Sequence, residues 1–198
     1  VHGMAIGEKA SASGFIGMAL GANAKATGAY SYAGGLDSES GGEAAIAVGK
    51  SASAGGSDAV AIGTSSQATG GDSIALGKSA NASNSDSIAI GQDTVSNNIN
   101  SVALGKTSKA TGASATALGP QAKATGSTAV AIGLNSEANQ SATVAIGQSS
   151  AASGLQAVAV GYNSAASGEN AAAYGNTAKA AGKNSLALGA NTQATVEG

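Results

Sequence analysis

Cysteine, tryptophan and arginine are all missing from this 198-residue sequence. Without cysteine there is neither a disulfide framework nor a thiolate metal site, so rigidity must come from regular backbone pairing. Without arginine the nine basic residues are all lysine, and the planar fork that reads phosphates and base edges is gone; at a net charge of −2, nucleic acid is not an expected partner. Aromatics are 3% of the chain, too few to fill a bulky core, so the buried space is expected to be thin. The single histidine, His2, has no nucleophile or carboxylate near it, which excludes a catalytic triad and a histidine metal site. No apolar run approaches the roughly eighteen residues of a membrane span, and Val1-His2-Gly3-Met4 lacks the parts of a signal peptide. Both ends stop inside the repeat described next, with no capping segment, and the expectation is a piece cut from a longer chain.

What the chain does have is glycine in strict phase: Gly7, Gly21, Gly35, Gly49, Gly63, Gly77, Gly91, Gly105, Gly119, Gly133, Gly147, Gly161, Gly175 and Gly189, one every fourteen residues with no insertion or deletion. Such a period is the signature of a solenoid, in which each unit is one coil and none buries its apolar face alone. With no linker and no composition shift, residues 1–198 are expected to form a single domain.

Numbering each repeat 1 to 14, position 5 is Ala and position 7 Gly in all fourteen. Positions 4 and 6 carry the bulk: Ile46 and Val48, Val60 and Ile62, Ile74 and Leu76, Ile88 and Ile90, Val102 and Leu104, Val130 and Ile132, Val144 and Ile146, Val158 and Val160. Large β-branched residues alternating with small ones predict a strand over positions 3 to 7, and small residues at 10 and 12 predict a second over 10 to 13. Glycines at 7 and, in ten repeats, at 14 mark the two corners, where positive φ or close approach is needed. Fourteen stacked coils at strand spacing make a rod about 65 Å long.

The alternation also assigns faces. Short turns leave room inside for only Ala or Ser from positions 3, 5, 10 and 12, so the large residues at 4 and 6 must point outward. An apolar stripe of that length exceeds what a soluble monomer leaves exposed. The simplest cover is the same stripe on identical chains about a common axis, and a stable monomer is not expected.

Asn100-Ser101-Val102-Ala103-Leu104-Gly105 and Asn184-Ser185-Leu186-Ala187-Leu188-Gly189 closely resemble the Asn-Ser-Val-Ala-Ile-Gly signature of the YadA-like heads of trimeric autotransporter adhesins. Asp86-Ser87-Ile88-Ala89-Ile90-Gly91 and Asp58-Ala59-Val60-Ala61-Ile62-Gly63 are one or two substitutions away, and the resemblance covers the whole chain. It implies an all-β, left-handed parallel β-roll, an intimate homotrimer, and a place at the tip of a bacterial surface fibre whose stalk and outer-membrane anchor are not in this sequence. The handedness comes from the resemblance alone. The implied function is non-enzymatic and needs no cofactor: multivalent attachment to host extracellular matrix such as collagen or fibronectin, to cells or surfaces, or self-association and biofilm.

Several repeats depart from the pattern. Gly34 stands where a large residue belongs, and Tyr32 beside it, or a local change of geometry, is expected to fill the gap; Thr116 replaces an aliphatic, and Ala172 with Tyr174 reads as a small-large pair. Asn84, Asn98 and Gln140 replace the position-14 glycine, with Asn expected to stand in at positive φ.

Gly34-Gly35-Leu36-Asp37 and Gly70-Gly71-Asp72 look like fragments of calcium-binding nonapeptides but are out of register. Asp58, Asp72 and Asp86 form a column at position 2, read as turn residues accepting a backbone N–H, with a weak cation or ligand site as the alternative. Lys25, Lys109, Lys123 and Lys179 at position 11, and Lys50, Lys78 and Lys106 at position 8, are either plain solvated surface or a docking face for an acidic or extended ligand. Tyr30 and Tyr162 are contact anchors or coil-edge packing.

An ice-binding solenoid needs a regular threonine ladder, which Thr27, Gly41, Thr69, Asn97, Thr111 and Ala181 at position 13 do not make. β-Helix acyltransferases are built from hexapeptides, and no histidine or carboxylate cluster interrupts this repeat. A structural spacer that only lengthens the fibre remains open beside the adhesin reading.

Overall fold

The computed structural model describes residues 2–196. They fall into two compact units, Val1–Asn100 and Ser101–Gly198, each built from seven coils of the same design. Every coil contributes a three-residue strand at positions 4–6, such as Val60–Ile62 or Val130–Ile132, and a two-residue strand at 11–12, such as Gln67–Ala68 or Glu137–Ala138. Both strands are shorter than the alternation predicts. Equivalent strands pair in parallel and in register: Val60, Ala61 and Ile62 face Ile74, Ala75 and Leu76, and Val130, Ala131 and Ile132 face Val144, Ala145 and Ile146. Each unit is thus two parallel sheets back to back, an all-β parallel solenoid with no helix among the described residues; the chain makes about fourteen turns in all.

Among the described residues the buried apolar core consists of alanine alone. Positions 3, 5, 10 and 12 supply it, together with buried Ser and Thr, and the largest fully buried side chain is a threonine. This is the narrow interior expected from turns of two residues. Many of the buried hydroxyls are committed to the corners: Ser66 donates to the Gly63 carbonyl at 2.9 Å, Thr94 to Gly91 at 2.7 Å, and Ser73 to Gly70 at 2.7 Å, whereas Ser31 and Ser185 leave theirs without a partner. In these coils a position-10 or position-3 hydroxyl satisfies the carbonyl three residues back, as buried polar groups require.

The corners differ from the sequence expectation. At position 7 the backbone does take positive φ, from +115° to +138°, and a Cβ on Gly63 would lie 2.5 Å from the Gly77 carbonyl oxygen. At position 14 φ is not positive; glycine is needed there because a Cβ on Gly28 would overlap the Gly42 carbonyl of the next coil. The left-handed residues are instead at positions 2 and 9, with φ of 53° to 60°, and none of them is glycine. Each is the third residue of a turn spanning positions 7 to 10 or 14 to 3, many of them closed by a backbone bond, for example Ala24 N–H to Gly21 O at 3.2 Å. Positive φ at that place is what type II turns demand, and Asn and Asp tolerate it best. The sole proline, Pro120, occupies the second place of such a turn, Gly119 to Ala122, where its fixed φ suits.

Two expectations are thereby corrected. Asn84, Asn98 and Gln140 do not stand in for glycine at positive φ. Asn84 is accommodated by bonds from its backbone N–H to Ser87 Oγ and from Nδ2 to the Asn97 carbonyl, both at 3.3 Å; nothing comparable explains Gln140. And Asp58, Asp72 and Asp86 accept no hydrogen bond among the described residues; their φ of 55°, 54° and 57° is the reason for the residue type.

Candidate functional site

In each unit the large residues at positions 4 and 6 lie on the outer side of the three-residue strands, since the alanine between them points inward. Ile46, Val48, Val60, Ile62, Ile74, Leu76, Ile88 and Ile90 form this stripe in the first unit; Val102, Leu104, Val130, Ile132, Val144, Ile146, Val158 and Val160 form it in the second. None is buried in the single chain, and Ile62 and Leu104 are 42% and 45% exposed. Register stacks like on like: Ile74 on Ile88, Leu76 on Ile90, Val144 on Val158. Met18, Leu20, Leu118, Leu186 and Leu188 occupy the same positions and extend it; their column was the signal that could have added them.

The irregular third coil keeps the stripe filled. A Cβ placed on Gly34 would meet Tyr32 Oη at 2.8 Å and its ring carbons at 3.0 Å, so the tyrosine ring covers the place of the missing side chain. Thr116 stacks in register between Val102 and Val130 and is half-buried like its neighbours.

The opposite sheet carries most of the polar side chains, and the corners mix polar residues with exposed apolar ones such as Phe15, Leu36, Ile99 and Leu155. Lys25, Lys50, Lys78, Lys106, Lys109 and Lys179 are exposed and have no carboxylate partner among the described residues. Lys123 differs: its Nζ lies 2.6 Å from Glu137 Oε1 of the next coil, and this contact holds the Glu137 carboxyl below its ordinary value, against a smaller opposing effect of burial. As a candidate ligand-facing residue, Lys123 is therefore already engaged. Lys25 borders a shallow pocket of about 280 Å³ with Asn23, Asp37, Ser38 and Glu39, but Asn23 Nδ2 already donates to Asp37 Oδ1 at 2.9 Å and Ser38 to the Gly35 carbonyl. Tyr30 and Tyr162 are 54% and 53% exposed. Tyr30 meets Phe15 edge to face, ring centroids 5.5 Å apart, a corner contact that spacing alone did not reveal. No group of three or more metal-ligating side chains occurs among the described residues.

The family described as the YadA head domain repeat matches in eight stretches, residues 17–38, 40–66, 68–94, 96–122, 110–136, 124–150, 138–164 and 166–192, those within 96–164 overlapping. The chain belongs to the YadA head family. A comparison with curated proteins finds no match. Membership makes this YadA-like segment an adhesin head of the trimeric autotransporter type, from a class of bacterial cell-surface proteins that is non-enzymatic in general. The half-exposed stripe and the alanine core are the physical content of that membership.

Proposed function

We propose that residues 1–198 act as one head in which three chains, each a left-handed coil, close their position-4 and position-6 stripes around a common axis. The outward lysines and tyrosines then carry repeated weak contacts to host extracellular matrix such as collagen or fibronectin. One observation supports this above the others: the buried core is alanine, while every large aliphatic of the strands stands outside it. Burying such side chains stabilises an assembly by up to about 1.5–3 kcal/mol each, which makes the stripe the largest apolar resource the protein has. Attachment by such a head is multivalent, since each contact recurs on three chains and gains from effective concentration.

The test is binding to immobilised collagen and fibronectin by the protein as it assembles. Replacing Lys50, Lys78, Lys106, Lys109 and Lys179 by alanine together should weaken binding and leave the fold intact. An intact assembly that binds neither protein, nor cells, would identify a spacer instead.

A further inference from the structure

The sequence holds two Asn-x-Ser/Thr triplets, Asn81-Ala82-Ser83 and Asn139-Gln140-Ser141. Such a triplet is an acceptor for an N-linked sugar when its asparagine stands on an accessible surface. The fold separates the two. Asn81 belongs to the strand Asn81–Ala82 and pairs in register with Gln67 on one side and Val95 on the other. Its carboxamide oxygen is buried and Ala82 is fully buried, so a sugar there has no space between the flanking strands.

Asn139, Gln140 and Ser141 instead run round the corner that follows the strand Glu137–Ala138, and all three are exposed. The Asn139 N–H donates to the Ala152 carbonyl at 3.0 Å and Thr143 Oγ1 to the Gln140 carbonyl at 2.6 Å, so the corner is presented in one shape. The Ser141 hydroxyl, which the triplet requires, makes no hydrogen bond among the described residues. On the same outward face the two following coils place Ala151, Ser153, Ala165 and Ser167, all small, which leaves room above the sheet for a sugar ring. Asn139 Oδ1 lies 3.5 Å from Thr125 Oγ1, and the amide faces the Glu137 carboxylate. A sugar on Nδ2 leaves the oxygen and one N–H in place, so both contacts persist. Within its own unit the site lies on the sheet opposite the apolar stripe, and covering the stripe does not close it.

We infer that Asn139 is an acceptor for an N-linked sugar. The donor is a sugar esterified through its anomeric carbon to a diphosphate, carried on a nucleoside or on a polyprenol. Asn139 Nδ2 bonds to the anomeric carbon as the bond from that carbon to the diphosphate oxygen breaks. The diphosphate leaves with the electron pair, one amide proton passes to a base of the transferase, and nothing is oxidised or reduced. The exposed corner then carries a bulky, hydrated group. This modification is independent of attachment to host matrix and of the number of chains in the assembly.

The test is mass spectrometry of the protein isolated from the cells that make it, denatured and then cleaved after glutamate. Cleavage at Glu137 and Glu169 releases residues 138–169, which contain Asn139 and no second triplet, while residues 44–137 contain Asn81. The expected result is a 138–169 fragment heavier by whole sugar residues and an unmodified 44–137 fragment. A single added hexose points to the nucleoside-bound donor, an oligosaccharide to the polyprenol-bound one. Asn139→Gln and Ser141→Ala each remove the added mass, Ser141→Thr keeps it, and Asn81→Gln changes nothing. Ser141→Ala retains the asparagine, so its effect separates sugar transfer from deamidation. A 138–169 fragment at its unmodified mass, added mass that survives Ser141→Ala, or equal modification of both fragments would overturn the inference.

Discussion

The Tyr32 ring fills the place of the side chain that Gly34 lacks: a Cβ on Gly34 would lie 2.8 Å from Tyr32 Oη and 3.0 Å from the ring. The two residues share one outward face of the strand Tyr32–Gly34, two apart, and act as one large unit split unequally. Changing either alone should cost stability: Gly34→Val by overlap with the ring, Tyr32→Ile by leaving a gap. The double variant, which restores the pattern of the other coils, should recover most of the loss, with a coupling of about 1 kcal/mol or more in a denaturant double-mutant cycle. Additive losses would show the pair to be independent.

Ile16 and Thr128 hold φ of 53° and 54°, at a place where several other coils, among them those of Asp58, Asn100 and Asn184, have Asn or Asp. A β-branched residue in that region is strained by about 1–2 kcal/mol. Thr128→Asn is expected to raise the melting temperature and leave assembly unchanged. An unchanged or lower melting temperature would contradict the turn assignment.

Ala61 is fully buried between the two sheets of the first unit. Ala61→Val should destabilise by about 1–3 kcal/mol, since the interior has no room for added methyls. Val60→Ile, one residue away but facing outward, should fold normally. Equal tolerance of both would mean that the interior is wider than the alanine core indicates.

The period, the two strands and their facing were legible because one column per coil repeats fourteen times, so Ala at position 5 beside Ile or Val at 4 and 6 leaves a single way to turn the strand. The corner chemistry was not. Glycine at 7 and glycine at 14 look alike in sequence, yet the first is set by φ and the second by the carbonyl stacked above it. The residues that do hold the left-handed turn, among them Lys9, Tyr30, Asp58 and Gln121, share no side-chain property that a pattern could pick out. Lys123 also read as a free surface lysine, because Glu137 is fourteen residues away in sequence and adjacent only once the coils are stacked.

The Lys123 contact gives the Glu137 carboxyl a lowered pKa, so its contribution is present above the ordinary glutamate value of 4.5 and fades as pH falls through the lowered one. The pair is half-exposed, at 48% and 38%, and is expected to supply less than about 1 kcal/mol. Glu137→Gln should therefore lower stability slightly at pH 7 and make no difference well below pH 4, read from melts across that range. A loss that persists in acid would assign the effect to packing.

The most direct measurement is the solution mass of the protein beside Ile62→Asp, by light scattering in 500 mM salt. Ile62 is 42% exposed in the single chain, so an aspartate there leaves the alanine core untouched and acts only on what covers the stripe. A mass near three times 18.3 kDa that falls in the variant, with β-structure retained, is the expected result. A wild-type protein that stays a stable 18.3 kDa monomer would contradict the stripe as an interface.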